Sequence, residues 1–198
     1  MGKSLAARIE ALEKKVDDLM REKQTKIRGS FGIGDVFQLA GLTWKILDIT
    51  ERGYMCHAVD LWKNDQFDGS SNNWAESKLR KDLYELADTI ANEIGADNIV
   101  PIERNLISLD GQTEYGVCED SVSILAIDEY RKYRSLIPNT DDYWWWLLNP
   151  WSTACNDDEM WVTVVSPRGL ILGSSYNDDY GVRPCCILSL AIFESEDE

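Results

Sequence analysis

The chain has 198 residues, 44% of them hydrophobic and eight of them tryptophan, so it can bury a sizeable core and does not have a disordered composition. It contains no run of 18 apolar residues and no apolar segment near its start, so neither membrane insertion nor a secretory signal peptide is predicted. The net charge of −15 repels phosphates, which argues against a nucleic-acid partner.

Residues 1–30 are predicted to form an N-terminal coiled-coil oligomerisation helix. They differ from the acidic remainder, since eight Lys and Arg stand against five Asp and Glu. Apolar residues follow the 4-3-4-3 spacing of a heptad seam, namely Leu5, Ile9, Leu12, Val16 and Leu19. Ile and Val at position a with Leu at position d favour a dimer, but so few heptads leave a trimer open. The alternative is an amphipathic helix docked on its own domain.

Residues 31–198 are predicted to fold as one α+β domain. Short alternating runs bounded by turn residues predict strands at Val36–Leu39, Thr43–Ile49 and Tyr54–Val59, followed by a polar loop over 64–73. A helix is predicted from the N-cap Ser77 to Gly95, and a shorter one from Asp128.

The C-terminal third is predicted to be β-structure. Met160–Val165 and Gly169–Gly173 have the pattern of a hairpin, and Val182–Leu190 that of a last strand. Tyr143–Leu148 (YWWWLL) also has the pattern of a strand. Side chains alternate along a strand, so the three successive tryptophans must point to both sides. This strand is therefore either buried on both faces or a platform for an external ligand.

Nothing in the sequence indicates a cofactor, a metal or a catalytic centre. The five cysteines lack CxxC spacing, and with His57 as the single histidine they suggest free buried thiols rather than zinc ligands or nucleophiles. Asn, Asp and Glu cluster in 156–159 and 174–180 and are possible calcium ligands, but they lack EF-hand spacing. The same loops have the Tyr, Ser, Asn and Asp composition of antibody-like binding surfaces, with an ordinary solvated loop as the alternative.

Several segments together resemble a known family. WWLLNP (145–150), the pattern Val165–Gly169, and GVRP (181–184) are similar to the WWLRSP…G…GVRP signature of an uncharacterised domain family common in gut bacteria and their phages. FGIGDVFQLAGLTWKILDI (31–49), NNWAESKLRKDL (72–83) and DSVSILAIDEY (120–130) also resemble that family, so the likeness spans about 31–190. Leu148 and Asn149 depart from the signature, where the family has Arg and Ser.

The resemblance implies a C-type-lectin-like fold of the formylglycine-generating-enzyme-like branch, related to the variable proteins of diversity-generating retroelements. It implies a non-enzymatic, ligand-binding homo-oligomer that recognises a protein or glycan on a cell surface. It would be located in a phage tail, or in the bacterial cytoplasm before assembly. The alternatives are a structural virion or cell-surface module and, on fold analogy alone, a formylglycine-generating-like enzyme.

In such a fold the last strands and their loops form the binding face, on a frame that includes Arg183 as a structural residue. An aromatic residue in a polar loop, such as Trp151, is a suitable ligand platform. The expected ligand-binding residues are Leu148, Asn149, Trp151, Asn156, Asp157, Arg168, Leu170, Leu172, Tyr176, Asn177, Asp178, Asp179 and Tyr180.

Overall fold

A computed structural model describes residues 9, 12, 14, 15, 27–28 and 31–194 of the chain. Ile9, Leu12, Lys14 and Lys15 are helical, and the side chains of Ile9 and Leu12 are 48% and 63% exposed. Ile27 and Arg28, at the end of the range predicted as helix, instead form a short strand paired with Phe193 and Glu194, and the rest of the predicted coiled coil lies outside the described residues. Among the described helices, none is long and apolar enough to cross a membrane.

The described residues have a mixed α+β architecture in which strands dominate. The α-helices are α1 (Lys78–Ile94) and α2 (Ile127–Lys132). The strands are β1 (Ile27–Arg28), β2 (Val36–Leu39), β3 (Leu42–Thr50), β4 (Gly53–Ala58), β5 (Lys63–Gln66), β6 (Ile99–Val100), β7 (Ile102–Asn105), β8 (Val117–Asp120), β9 (Val122–Ile124), β10 (Trp145–Pro150), β11 (Trp161–Val165), β12 (Ile171–Ser175), β13 (Asp179–Val182), β14 (Pro184–Leu188) and β15 (Phe193–Glu194).

Two sheets form the body of the fold. One has the strand order β2-β3-β4-β14-β6, with β9 also pairing with β14. The other has the order β12-β11-β10-β13-β5, in which β10 is antiparallel to β11 and parallel to β13. Two short pairs, β1 with β15 and β7 with β8, complete the pairing. The tryptophan-rich strand β10 is thus central in the second sheet.

Strand β10 is buried on both faces, which decides between the two interpretations of its tryptophans. Trp146 and Leu148 belong to the larger core, together with the apolar stripe of α1. Trp145 and Leu147 belong to a second core, which contains Tyr130 of α2. The predicted alternation is confirmed, although the strand begins at Trp145 rather than Tyr143 and extends to Pro150.

The start and end of helix α1 follow from local chemistry. The hydroxyl of Ser77 accepts the N–H of Arg80 at 3.1 Å, which satisfies one of the unpaired donors of the first turn. The helix ends at Gly95, whose φ of +88° is a conformation that favours glycine. Five buried residues at helical spacing, Leu79, Leu83, Leu86, Ile90 and Ile94, pack α1 against the larger core.

Two sequence-based expectations about strands were wrong. The polar segment 64–73 contains most of β5, because residues 63–66 pair with β13 along its whole length, and ion pairs of Lys63 with Asp65 and Asp82, both at 2.7 Å, neutralise the charges of this edge strand. The last strand, predicted over Val182–Leu190, is the shorter β14, and Val182 instead ends β13, which belongs to the other sheet. Pro184 has no N–H for a sheet ladder, and Arg183 turns inward, so the chain passes between the sheets here.

Candidate functional site

The C-terminal part of the fold rests on a rigid frame around Trp145. The guanidinium carbon of Arg183 lies 4.9 Å from the centre of the Trp145 ring, and its Nε donates to the carbonyl oxygen of Ala58 at 3.2 Å. The ring of His57 lies 5.6 Å from the same tryptophan, and Tyr130 packs edge-on at 5.5 Å. Arg183 is 1% exposed, so the structural role expected for it is confirmed.

Leu148 and Asn149 belong to this frame, so their expected place on a binding face was wrong. Leu148 is fully buried and Asn149 is 3% exposed. The side-chain oxygen of Asn149 accepts the N–H of Ile127 at 2.8 Å, and its Nδ2 donates to the carbonyl oxygen of Ile107 at 2.9 Å. Asn149 therefore links two segments of the fold through buried hydrogen bonds.

Trp151 and Trp161 form a shallow aromatic depression beside β12. Each side chain is 41% exposed, and with Asp158 and Gly173 they line a volume of about 280 Å³. A Cβ built on Gly173 would lie 3.0 Å from Cε3 of Trp151. Glycine at this position therefore lets the indole lie directly against the strand. Of this pair, only Trp151 was expected from the sequence.

A larger depression lies on the other side of β12. Leu170 is 61% exposed and Leu172 is 40% exposed, and the half-buried Trp144 lies beside them. They line a volume of about 560 Å³ that Asn139, Thr140, Asp141, Ser166, Pro167 and Arg168 complete. Arg168, Leu170 and Leu172 therefore lie together, as the sequence indicated. Val165 does not join them, because it is 2% exposed in the second core.

The two depressions lie on opposite faces of one sheet edge. In the β11–β12 register Val164 pairs with Leu172 and Thr163 pairs with Gly173. Directly paired residues share a face, and successive residues alternate, so Leu172 and Gly173 point to opposite sides. Trp151 and Trp161 on one side of this edge, and Leu170, Leu172 and the half-buried Trp144 on the other side, are together called the edge face below, because they flank the same edge strand.

Asn156 and Asp157 lie in an exposed loop that is stabilised by hydrogen bonds to neighbouring residues. Asn156 Nδ2 donates to Asp110 Oδ2 at 2.9 Å and to Ser152 Oγ at 3.1 Å. Hydrogen bonds from Ser108 and Ser152, and then from Asn156, lower the pKa of Asp110. Asp157 adopts the left-handed conformation with φ of +54°, and its side chain is exposed. Asn156 is therefore partly used in holding the loop, whereas Asp157 remains accessible.

The polar residues of the 174–179 turn also bond mainly to one another. Ser174 Oγ donates to Asp178 Oδ2 at 2.7 Å, and the N–H of Ser175 donates to the same oxygen at 3.2 Å. Ser175 Oγ donates to Asn177 Oδ1 at 2.7 Å. Asn177, Asp178 and Asp179 are exposed, so the turn presents two carboxylates on a locally fixed backbone.

Tyr176 and Tyr180 are half-buried, and both also make contacts that hold the fold together. The ring of Tyr180 packs at 71° and 5.0 Å against Trp146, and its hydroxyl lies 3.0 Å from Ser174 Oγ. The carbonyl oxygen of Tyr176 accepts the N–H groups of Phe67 and Asp68 at 2.9 and 3.1 Å. Each tyrosine therefore offers only part of its ring to a ligand.

Sequence reasoning missed Trp144 and Trp161. Trp144 directly precedes β10, and its place in the predicted strand Tyr143–Leu148 suggested that it was buried. Trp161 begins β11, and its place in the predicted hairpin gave no sign of a role in binding. Side chains alternate along a strand, so Trp161 points to the opposite side from the buried Val162, which could have indicated that Trp161 is exposed. Thr163, however, lies on the same side as Trp161 and is fully buried, so this alternation does not distinguish exposed from buried positions in β11.

His57 and three cysteines, Cys56, Cys185 and Cys186, are buried in the interior. Burial, with the nearby charges of Arg183 and Lys45, lowers the pKa of His57 well below its usual value. Burial raises the pKa of Cys185 to about 12, even though Arg104 Nη2 donates to its sulfur at 2.8 Å. Within the described part of the chain, no three His, Cys, Asp or Glu side chains are grouped so that they could hold a metal ion.

Residues 92–190, half of the chain, match the family described as "Domain of unknown function (DUF6273)", and the chain belongs to that family. The match runs from the last turn of α1 to the end of β14 and beyond it to residue 190, so it covers the frame and the edge face. The expectation of membership in an uncharacterised domain family is confirmed. No curated protein and no solved structure matches the chain.

Proposed function

We propose that this protein is a non-enzymatic ligand-binding protein that contacts its ligand through the edge face. The observation that carries the proposal is the pair of half-exposed indoles, Trp151 and Trp161, in one depression, with the exposed Leu170 and Leu172 across the same strand. Clustered exposed apolar groups of this kind mark interaction sites. A purely structural module has no need for them, so the cluster favours the binding role over that alternative.

The support beneath the face also suits a binding protein. Trp145, Trp146 and Leu148 are buried under it, and Arg183 and Asn149 tie neighbouring segments together with buried hydrogen bonds. A face on such a frame loses little conformational freedom on binding. It also tolerates changes of its exposed side chains without disturbing the core.

The family resemblance extends the proposal to a particular setting. The domain would have a C-type-lectin-like fold of the formylglycine-generating-enzyme-like branch, and it would be a variable protein of a diversity-generating retroelement or a phage receptor-binding protein. Its location would be the virion, with the bacterial cytoplasm before assembly. The placement of segments 151–161 and 166–180 at one edge of a rigid sheet supports this view, because variation there leaves the frame untouched.

The N-terminal helix would join two or three copies into an oligomer. Ile9 and Leu12, which occupy adjacent seam positions, are exposed, as an unpaired seam requires. Linked heads that each bind weakly gain avidity from their high effective concentration. The proposed ligand is accordingly a repeated protein or glycan on a cell surface.

The observations favour binding over nucleophilic catalysis. Cys56, Cys185 and Cys186 are buried, and burial raises the pKa of each thiol. The exposed Cys155 has a raised pKa, because it hydrogen-bonds to Glu114. A thiol that stays protonated is a poor nucleophile, and the buried His57 offers no accessible base.

The experiment measures binding of the full chain to a glycan array and to a phage-displayed decapeptide library. For any probe that binds, the double variant Trp151→Ala and Trp161→Ala should weaken binding at least tenfold. The control is Tyr84→Ala, because Tyr84 is 46% exposed on α1, which contacts β5 at the opposite edge of the sheet. Equal binding by the double variant and the control would refute the assignment of the face.

A further inference from the structure

We infer that the free edge of β12 receives an extended peptide segment, which adds to the sheet as a sixth strand and carries basic side chains. This inference rests on the proposed function, because it uses the same edge face and names the class of ligand. It differs in its source of affinity, since the main contacts are backbone hydrogen bonds rather than side-chain contacts alone.

The backbone geometry shows which groups of β12 point outward. The N–H of Ser166 donates to Leu170 O at 2.8 Å, and the N–H of Tyr176 donates to Met160 O at 2.9 Å. Hydrogen-bonded and non-hydrogen-bonded pairs alternate along an antiparallel ladder. In the register of β11 with β12, the backbone groups of Leu172 therefore face β11, and those of Ile171 and Gly173 face away from it.

The outward groups of Ile171 and Gly173 have no strand beside them in the described residues, because β12 is the terminal strand of its sheet. Ser175 lies outside this open stretch, since its N–H bonds to Asp178 and its carbonyl oxygen accepts the N–H of Asp178 at 3.0 Å. Ile171 and Gly173 thus offer two N–H and two C=O groups at the spacing of a strand. The complement of such a row is an extended peptide backbone.

The two edge strands of this sheet differ in their charged residues. The opposite edge strand, β5, carries Lys63 and Asp65, whose ion pairs extend to Asp82 and Lys78. Charged side chains on an edge are a common defence against strand addition. β12 has the sequence ILGSS, with no charge and no proline. The edge beside the two depressions therefore lacks the charged residues and proline that hinder the addition of another strand.

The depressions provide for the side chains of an added strand. Successive residues of such a strand point to opposite faces. One set would meet Leu170, Leu172 and Trp144, and the other would meet Trp151 and Trp161. A segment with apolar side chains on both faces fits this arrangement.

Charge selects the partner further. Residues 141–180 hold seven carboxylates and one basic residue, Arg168, and Arg134, which donates to Asn139 beside the larger depression, adds a second positive charge. Asp158 lines the aromatic depression, and Asp141 lines the larger one. A second copy of β12 would bring these acidic residues against one another, whereas a segment with flanking Lys or Arg is attracted. The occupant is therefore a basic, apolar segment of a different protein.

The test selects decapeptides from the phage-displayed library on the immobilised full chain and then synthesises an enriched peptide with single N-methyl groups along its backbone. Only alternate N–H groups of an added strand face the sheet, so alternate N-methyl substitutions should each weaken binding at least tenfold, and those between them should have little effect. Binding should also weaken as salt is raised from 50 to 500 mM, through screening.

A variant of the protein tests the same backbone hydrogen bonds from the side of β12. Ile171→Pro removes an outward N–H without removing a bond to β11, a change that edge strands tolerate. It should weaken peptide binding at least tenfold, with Ile171→Val as control because it keeps the N–H. If Ile171→Pro does not fold, as judged by circular dichroism, the N-methyl series decides, because it leaves the protein unaltered.

The outcomes separate this inference from the proposed function. Strand addition is overturned if every N-methyl group weakens binding equally, or if no peptide is enriched. The proposed binding face is still supported in that case if binding of a glycan or peptide depends on Trp151 and Trp161. Enriched peptides that lack basic residues overturn the charge argument. If no probe depends on the two tryptophans and no peptide shows the alternating response to N-methylation, both proposals fail.

Discussion

At the scale of single residues, adjacent side chains have opposite roles. Leu148, Asn149 and Trp151 lie within four positions, yet the first two are buried and the third is exposed. The difference follows from the end of β10 at Pro150, after which the chain leaves the centre of the sheet. Composition alone would have assigned the tryptophan to the core and the asparagine to the surface.

Replacing Asn149 with alanine should destabilise the fold by about 2 kcal/mol, because it leaves the N–H of Ile127 and the C=O of Ile107 without their partners. The free energy of unfolding in urea measures this. Asn156→Ala, a change of the same kind in an exposed loop, is the control and should cost less than about 0.5 kcal/mol. Equal losses in the two variants would contradict the role given to Asn149.

At the scale of elements, the sequence predicted those with a clear local signal. The periodic stripe and capping residue of α1 predicted both of its ends, and the Ser166–Gly169 turn predicted the hairpin of β11 and β12. β5 was missed because it has no apolar alternation and is held by pairing with the distant β13 and by ion pairs to α1, which sequence periodicity does not reveal. The break at Arg183 was missed because Val182 continues the apolar run of β14, although it ends β13 (DYGV), which belongs to the other sheet.

The charged cluster at β5 makes stability depend on pH. Burial acts to raise the pKa of Asp65, but hydrogen bonds from Lys63 and Lys78 outweigh it and lower that pKa to about 2. A carboxylate with a depressed folded-state pKa stabilises the fold above its unfolded pKa, and the benefit disappears as the pH falls through the folded value.

Asp65→Asn should therefore lower the free energy of unfolding at pH 7 by about 1 kcal/mol, a value reduced for solvent screening of this partly exposed cluster. The difference from the unmodified protein should shrink as the pH falls from about 4 and vanish near pH 2. Urea unfolding at a series of pH values measures it, with Asp88→Asn, an exposed position on α1, as the control. A difference independent of pH would show that the charge of Asp65 is not the cause.

At the scale of the whole molecule, a two-sheet domain is proposed to be joined to its copies by the N-terminal helix. The edge face could be predicted only in part from sequence. The loops at 156–157 and 176–180 were identified by composition, but the meeting of Trp144 with Leu170 and Leu172, and of Trp151 with Trp161, depends on the strand order of the second sheet. Strand order is a long-range property that local patterns do not encode.

Leu12→Gln should convert an oligomer into a monomer, because it places a polar group at a seam position of the proposed coiled coil. Size-exclusion chromatography with light scattering on the full chain measures the mass. Lys14→Gln, an outward position of the same helix, is the control and should leave the mass unchanged. A monomeric unmodified protein, or an oligomer that survives Leu12→Gln, would refute the role of the seam.

The most direct test of the central claim is deep sequencing of the last third of the gene across a natural population. The account predicts substitutions concentrated at exposed positions of the face and its loops, such as Trp151, Asp157, Leu170 and Asn177. Trp145, Trp146, Asn149, Gly181 and Arg183 should remain constant, because they form the buried frame. An even scatter over frame and face would contradict a diversified binding surface and would favour a fixed structural role.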